Sequence, residues 1–420
     1  MSNRQRIAIV GGGVSGLTVA WMLAPHHDIQ LFEAADYAGG HTNTEAVESG
    51  GRTWHINTGF IVFNDWTYPN FIKLMDKLRV PSEASSMSFS VQSALNGLEY
   101  NGTNLNALFA QRRNLLNPAF VRMILEILRF NKQTRADLAE GKVTDDETLG
   151  SYLDRHGFSR YFREHYIVPM GSAIWSAPEI VLEQFPIRFF LQFFNNHGML
   201  SVDDRPTWRV ISGGSARYVD RMMDRIGGCV HLNSPVSKVR READRVVVEV
   251  NGREEYFDQV VFACHSDQAL AMLNEPTQAE QEVLGAIPYQ DNDVVLHTDT
   301  RMLPAEKRAW AAWNYHIPKQ GTDPVSVTYN MNILQNFHDS EEVFCVTLNR
   351  SQDIDPAKVI HSYRYAHPVF SMEAVAAQGR YHEIGNQNRT HFCGAYWFNG
   401  FHEDGVRSAV RVLNDFGVDL

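Results

Sequence analysis

The chain has few cysteines, no long apolar run and no excess of positive charge. Cys229, Cys264, Cys345 and Cys393 are its four cysteines in 420 residues, and none forms a CxxC pair. Thiols scattered this way read as reduced, mostly buried side chains of a cytoplasmic protein, not as a disulfide framework or a zinc site. No apolar stretch is long enough to span a bilayer, and Ser2-Asn3-Arg4-Gln5-Arg6 leads directly into an apolar run. Neither a signal peptide nor a membrane span is expected, and the expected location is cytoplasmic, with peripheral attachment to the inner membrane left open. Lys and Arg total 38 against 49 Asp and Glu, a net charge of -11, which argues against nucleic acid as a partner. Repeats and low-complexity tracts are absent. His26-His27 follow Pro25 at an expected helix end, and His297, His316, His361 and His367 share no ligand spacing, so no metal is expected.

What is present begins at Ile7-Ala8-Ile9-Val10, an apolar run entering Gly11-Gly12-Gly13-Val14-Ser15-Gly16. A helical segment follows, then a second apolar run, Ile29-Gln30-Leu31-Phe32, closed by Glu33. This is the order of a βαβ dinucleotide site. Gly11 permits the tight turn, Gly13 lets backbone approach a pyrophosphate, and Gly16 lets helix and strand pack closely. The helix N-terminus offers unpaired N–H groups and its positive dipole end to phosphates. A carboxylate at Glu33 suits a ribose diol, which selects FAD or NAD over NADP. Gly39-Gly40-His41-Thr42-Asn43-Thr44 adds a second glycine pair that one nicotinamide site would not need.

Further along, 53–63 reads as an extended segment broken at Gly59, and a helix is expected over 69–78. Short strands are expected on both sides of the Asn96-Gly97 turn. Asn117 and Pro118 supply an N-cap and a first helical residue. Phe120, Ile124, Ile127 and Leu128 then keep helical spacing, and the polar side is basic: Arg122 and Arg129, with Arg112, Arg113 and Lys132 nearby. Such a helix either covers a core with a solvated face or lies on anionic lipid. The greasy run Phe185-Pro186-Ile187-Arg188-Phe189-Phe190-Leu191-Gln192-Phe193-Phe194 is either plain core or the wall of an apolar tunnel. A helix over 216–226, a strand at 229–232 continuing through Val236, a hairpin turning at Asn251-Gly252 and an apolar strand at 258–264 follow. Runs at 292–297, 309–316, 325–331 and 343–348 suggest an antiparallel sheet. A last strand at 390–395 and a loop at 400–405 precede a terminal helix over 406–416.

Taken together, the N-terminal glycine motif, the closing acid, Gly39-Gly40, the mid-chain return near Val236 and the C-terminal glycine turn resemble the FAD-dependent amine oxidase and phytoene desaturase superfamily. The resemblance covers essentially the whole chain. It implies an α/β fold, a Rossmann-like FAD-binding domain interleaved with an α+β substrate domain built from two insertions. The expected boundaries are 1–80, 206–287 and 386–420 for the FAD-binding domain, and 81–205 and 288–385 for the substrate-binding domain. Trp175-Ser176-Ala177-Pro178, His367-Pro368-Val369-Phe370, Cys393-Gly394-Ala395-Tyr396 and Gly400-Phe401-His402-Glu403-Asp404-Gly405 look like a narrower group. These are bacterial flavoproteins encoded beside cyclopropane-fatty-acid synthases, similar also to the N-terminal oxidase-like domain of the plant cyclopropane synthases.

Carried over by position, the resemblance implies that Gly11, Gly13, Val14, Ser15 and Gly16 hold the pyrophosphate and Glu33 with Ala34 the adenosine ribose. Gly40, His41 and Thr42 would line the diphosphate or ribityl region. Many members carry Arg where this chain has His41, and an imidazole does not offer the bidentate, charge-assisted grip of a guanidinium on phosphate. Thr58, Gly59 and Phe60 would approach the isoalloxazine ring, and Val236 the adenine edge. Gly394, Asp404, Gly405 and Val406 would bring a helix N-terminus to the flavin pyrimidine end. His402, Glu403, Tyr396 and Trp397 are the catalytic candidates. The implied activity is a flavin oxidoreductase acting on a lipid acyl chain at a membrane surface, as in furan fatty acid formation. Its alternatives are a flavin amine oxidase, a non-catalytic FAD-bearing partner of a lipid methyltransferase, or an isomerase using reduced flavin.

Overall fold

The computed structural model describes residues 4–176, 179–201, 203–319 and 326–420. Ala177 and Pro178 of the tryptophan motif, and the first residue of the run at 325–331, lie outside these.

Two sheets organise the chain. The first has five strands in the order Val230–His231, Asp28–Phe32, Arg6–Val10, Gln259–Phe262, Thr390–Phe392, all paired in parallel. Parallel pairing requires crossovers over the faces, so both faces are covered and the strands are apolar throughout. Ile7, Ala8, Ile9, Val260, Val261 and Phe262 are accordingly fully buried. The first helix, Val14–Leu23, is buried at every residue, with the last helix, His402–Asp415, packed along it. Helix Pro69–Leu78 has proline in its first turn, buries Phe71, Leu74, Met75 and Leu78, and ends at Arg79 in the left-handed conformation, φ 56°. That i, i+3, i+4, i+7 stripe is what fixes it to the core.

The second sheet has seven strands in the order Val359–Pro368, Tyr289–His297, Cys345–Leu348, Ser326–Asn330, Trp313–Ile317, Phe89–Ser93, Glu99–Asn101. Its pairs are antiparallel except Trp313–Ile317 beside Phe89–Ser93. The chain thus alternates between the two sheets. A helical layer, including Pro118–Ala139, Val168–Trp175 and Ile187–Asn196, packs its own apolar core. Among the described residues no helix is long and apolar enough to cross a membrane.

Two local expectations hold to the residue: Pro69–Leu78 and Ala216–Ile226 are helices as read. Others need correction. Val236 does not continue the 229–232 strand; the chain turns at Asn233, φ 50°, and Val236–Arg241 enters a separate three-stranded sheet. The last helix begins at His402, not Val406: Asp404 in its first turn accepts from Phe401 N–H at 2.9 Å, and Gly405 lies against Val14, where a Cβ would come within 2.6 Å of Val14 Cγ1. That glycine marks close helix packing, not a loop. Of the expected apolar stripe Leu128 is exposed, while Phe120, Met123 and Phe130 form the buried face. The greasy run resolves mainly into core: Phe185, Phe190 and Phe194 are fully buried, and Phe189 keeps partial exposure.

Candidate active site

The glycine turn is shaped by contacts that a side chain would break. Gly11 has φ +106°, and a Cβ there would sit 2.8 Å from the Ala263 carbonyl oxygen. A Cβ on Gly16 would lie 2.0 Å from the Gly11 oxygen. Gly13 differs: a Cβ on it would meet no protein atom within 4 Å. Packing does not explain this glycine, whereas open space beside a helix N-terminus suits a phosphate. Leu17 N–H donates to the Gly13 oxygen at 2.9 Å, so Val14, Ser15 and Gly16 occupy the first turn, where N–H groups lack intrahelical acceptors. The Ser15 hydroxyl is turned away, donating to the Gly405 oxygen at 3.0 Å; any phosphate contact from Ser15 falls to its backbone.

Around this turn the other predicted residues gather. Glu33 accepts from Gly12 N–H at 2.6 Å and Ala35 N–H at 2.8 Å, fixing its carboxylate at the strand end beside exposed Ala34. Ser234 N–H donates to the Glu33 backbone carbonyl at 2.8 Å, which draws the segment before Val236 alongside. Gly39 N–H donates to the Gly12 oxygen at 2.8 Å, and a Cβ on Gly40 would lie 3.2 Å from Gly13 Cα. The second glycine pair therefore lies on the first. Gly59 leaves only 2.2 Å between a Cβ and the His41 oxygen, to which Phe60 N–H donates at 2.8 Å. The Thr58 hydroxyl reaches Tyr365 Oη at 3.1 Å. His41 Nε2 is buried without a protein partner. An open Gly13, and an orphaned imidazole nitrogen on the residue after Gly40, are what a bound diphosphate–ribityl chain would satisfy, and the donor set fits FAD.

The last helix closes the far end, and its acids are already engaged. Asp404 Oδ2 accepts from Phe401 N–H at 2.9 Å and Asn399 N–H at 3.1 Å; burial pushes its carboxyl up to about 7. Glu403 accepts from Phe71 N–H at 2.9 Å and from the Asn70 side chain at 2.6 Å, so it caps Pro69–Leu78. Burial raises its pKa too. His402 stacks on Phe60 with ring centres 3.6 Å apart, and its Nε2 lies 2.8 Å from Thr42 Oγ1 and 3.3 Å from Tyr218 Oη. Desolvation pulls it down to about 3. Gly394 N–H donates to Ser408 at 2.8 Å, and Val406 is fully buried. Tyr396 and Trp397 face inward, 3% and 1% exposed, with Trp397 edge-on to Tyr381 at 4.8 Å. They pack as core behind the last strand and do not form two plates around a ring.

Sequence reasoning missed a histidine group where the sheets meet. Strand Val359–Pro368 brings Tyr365 and His367 onto His41, with ring centres 4.9 and 5.6 Å away. His265, just past Gln259–Phe262, lies 6.3 Å from His41 and stacks on Tyr289. His367 Nδ1 is 3.1 Å from Ser176 Oγ. Burial lowers all three imidazoles, His367 to about 4, and the neighbouring rings lower His41 and His367 further. The available signal was Tyr363, Tyr365 and His367 at alternate positions, which puts them on one strand face. Among the described residues no group of three His, Cys, Asp or Glu is arranged to hold a metal ion.

A glycine-rich parallel-sheet nucleotide site, closed by the N-terminus of the last helix and roofed by a second sheet, defines the two-sheet flavoprotein oxidoreductase fold. The chain belongs to the flavin containing amine oxidoreductase family, whose sequence profile matches residues 14–413, and FAD is its cofactor. It is 23% identical over 355 residues to an L-amino-acid oxidase of Bungarus fasciatus, covering 77% of this chain and 62% of that one. It is 22% identical to flavin-containing amine oxidase A of Canis lupus familiaris, covering 60% and 47%. The chain therefore spans less than two thirds of these relatives' lengths. Among solved structures, cyclohexylamine oxidase from Brevibacterium oxydans has a TM-score of 0.71 at 14% identity, over 99% of this chain and 100% of that one. A CLA-producing fatty acid isomerase from P. acnes gives 0.71 at 15%, over 99% of each.

Proposed function

We propose that the chain is an FAD-dependent oxidoreductase that oxidises or desaturates a lipid acyl chain. The narrower resemblance points to methyl-branched phospholipid chains, as in furan fatty acid formation. The observation that carries this reading is the aromatic cluster packed against Phe401, the residue before His402. Phe401 stacks on Phe193 at 5.0 Å, and Phe189 lies 5.1 Å from Phe370 and 5.8 Å from Trp175. The acids in the first turn of the last helix, Glu403 and Asp404, are held by N–H groups and do not offer a free counter-charge to an amine. A fatty acid isomerase on the same fold adds support.

FAD, when bound, supplies the acceptor for a hydride from a substrate C–H bond. Gly11, Gly13, Val14, Ser15, Gly16, Gly40, His41 and Thr42 would hold its diphosphate–ribityl chain, Glu33 with Ala34 its ribose, and Val236 the adenine edge. Thr58, Gly59, Phe60, Gly394, Asp404, Gly405 and Val406 would meet the flavin end. Phe60 and His402, stacked, exclude water. Desaturation also removes a proton from the adjacent carbon as the double bond forms. His41 is committed to the cofactor, so one of the other two neutral imidazoles, His265 or His367, would take that proton.

Anaerobic mixing with phospholipids bearing methylated acyl chains should bleach the flavin absorbance, and lipid mass spectrometry should find a product lighter by two hydrogens. The family match favours a second reading, amine oxidation. Bleaching by monoamines or polyamines and not by lipids would establish that reading in place of the first. A lipid methyltransferase partner, and with it a non-catalytic role, is tested by co-purification in the absence of any bleaching.

A further inference from the structure

Helix Pro118–Ala139 carries apolar residues on two opposite faces. Phe120, Met123 and Phe130 are buried, whereas Val121, Leu125 and Leu128, spaced i, i+4 and i+7, are 39%, 62% and 51% exposed. The turn Arg112–Leu116, which leads into the helix at Asn117, adds Leu115 and Leu116 at 54% and 89% exposure. Five large apolar side chains turned outward on adjoining elements mark an interaction surface, not scattered surface residues.

Charge says which partner fits. Between residues 112 and 135 the chain has six cations, Arg112, Arg113, Arg122, Arg129, Lys132 and Arg135, and all are exposed. The single acid in that stretch, Glu126, is buried and accepts from Ser159 N–H at 3.1 Å. Arg122 and Arg129 share its one carboxylate at 3.5 and 3.9 Å, leaving the surface strongly positive on a chain of net charge -11. On the helix, Arg122 and Arg129 border the leucine stripe and Lys132 extends it. The inner side of the same helix packs on Ile187–Asn196, whose Phe193 stacks on Phe401. The face is therefore one helix away from the aromatic cluster beside His402.

We propose that this face docks the protein on the anionic surface of a lipid bilayer, the leucines entering among acyl chains while the cations meet headgroup phosphates. The inference rests on the exposed residues and stands whether or not an acyl chain is the substrate; it gives that reading a direction of approach. The test is flotation of the FAD-loaded protein with vesicles of saturated, unbranched phosphatidylcholine, with or without phosphatidylglycerol. Binding should be about tenfold stronger with the anionic lipid and should weaken in high salt. Leu116→Glu with Leu125→Glu should cut it by about tenfold or more, with flavin content and circular dichroism unchanged because both side chains point to solvent. Lys132→Glu with Arg135→Glu should remove the preference for anionic lipid.

Absence of vesicle binding, or binding indifferent to the leucine substitutions, would overturn the proposal. So would a wild-type dimer that the leucine substitutions dissociate without any vesicle binding, which would assign the face to a second copy. These vesicles hold no methylated chain, so a failure to float leaves flavin bleaching by detergent-dispersed lipid untouched. Failure of bleaching likewise leaves flotation untouched.

Discussion

At the level of single residues, Gly13 and the buried histidines carry the sharpest consequences. A methyl group on Gly13 would meet no protein atom within 4 Å, so Gly13→Asp should fold. It should nevertheless fill that space with a negative charge and eject FAD, seen as loss of flavin absorbance relative to protein. Full occupancy in this variant would count against the phosphate contact. The histidines set a pH dependence whose sign follows from their burial. His367, His197, His297 and His316 are each pulled down to about 4, and His402 to about 3. A group whose folded pKa is depressed contributes stability above its unfolded pKa, near 6.5, and loses it as pH falls. Asp404, raised to about 7 by burial, and Glu403, raised likewise, oppose this, gaining as pH falls from 7 towards 4. Five histidines outnumber two acids, so thermal stability should fall as the pH drops from 6.5 towards 4, and His367→Gln should flatten that slope. The glycine roles were legible because each glycine type has one geometric reason; the histidine group was not, because its members come from residues 41, 265 and 367 and meet only in three dimensions.

At the level of elements, Glu403 is the informative residue. Its carboxylate caps helix Pro69–Leu78 through Phe71 N–H and Asn70, so Glu403→Ala leaves a buried helix terminus without its acceptor. The expected cost is about 1–3 kcal/mol of stability in urea unfolding, with turnover per bound flavin retained. A hundredfold loss of turnover with unchanged stability would instead restore Glu403 to the reacting groups. Most strands could be read because their burial forces apolar runs or alternation. Val359–Pro368, Val-Ile-His-Ser-Tyr-Arg-Tyr-Ala-His-Pro in sequence, alternates polar and aromatic residues at the sheet edge and gives little hydrophobic signal. Whether Leu128 faces a core or the outside was not legible for a related reason: on a helix with apolar residues on two faces, periodicity alone does not say which face is inside.

At the level of the whole molecule, the cofactor site depends on two segments nearly the full chain apart. The Ser15 hydroxyl donates to the Gly405 oxygen, and Ser408 joins the same oxygen to Gly394 N–H. The first and last helices are thus one unit, held by packing that tolerates no side chain at Gly405. A Cβ there would lie 2.6 Å from Val14 Cγ1 and 3.1 Å from Ser15 Oγ. Gly405→Val should therefore push the last helix off the first and weaken FAD binding, although Gly405 needs no contact with the cofactor to do so. The seven-stranded sheet takes no residue from either helix and should keep its structure. Ligand linkage provides the measurement: FAD at about a hundred times its Kd should stabilise the wild-type protein by about 2.7 kcal/mol. Gly405→Val should lose most of that gain, in addition to the roughly 1–3 kcal/mol by which overpacking this buried helix contact destabilises the FAD-free protein. Because Gly13→Asp and Gly405→Val act on one unit, their effects on FAD affinity should combine non-additively. Additive losses would mean that the two ends bind separate parts of the cofactor independently, and that the Ser15–Gly405 hydrogen bond does not couple them.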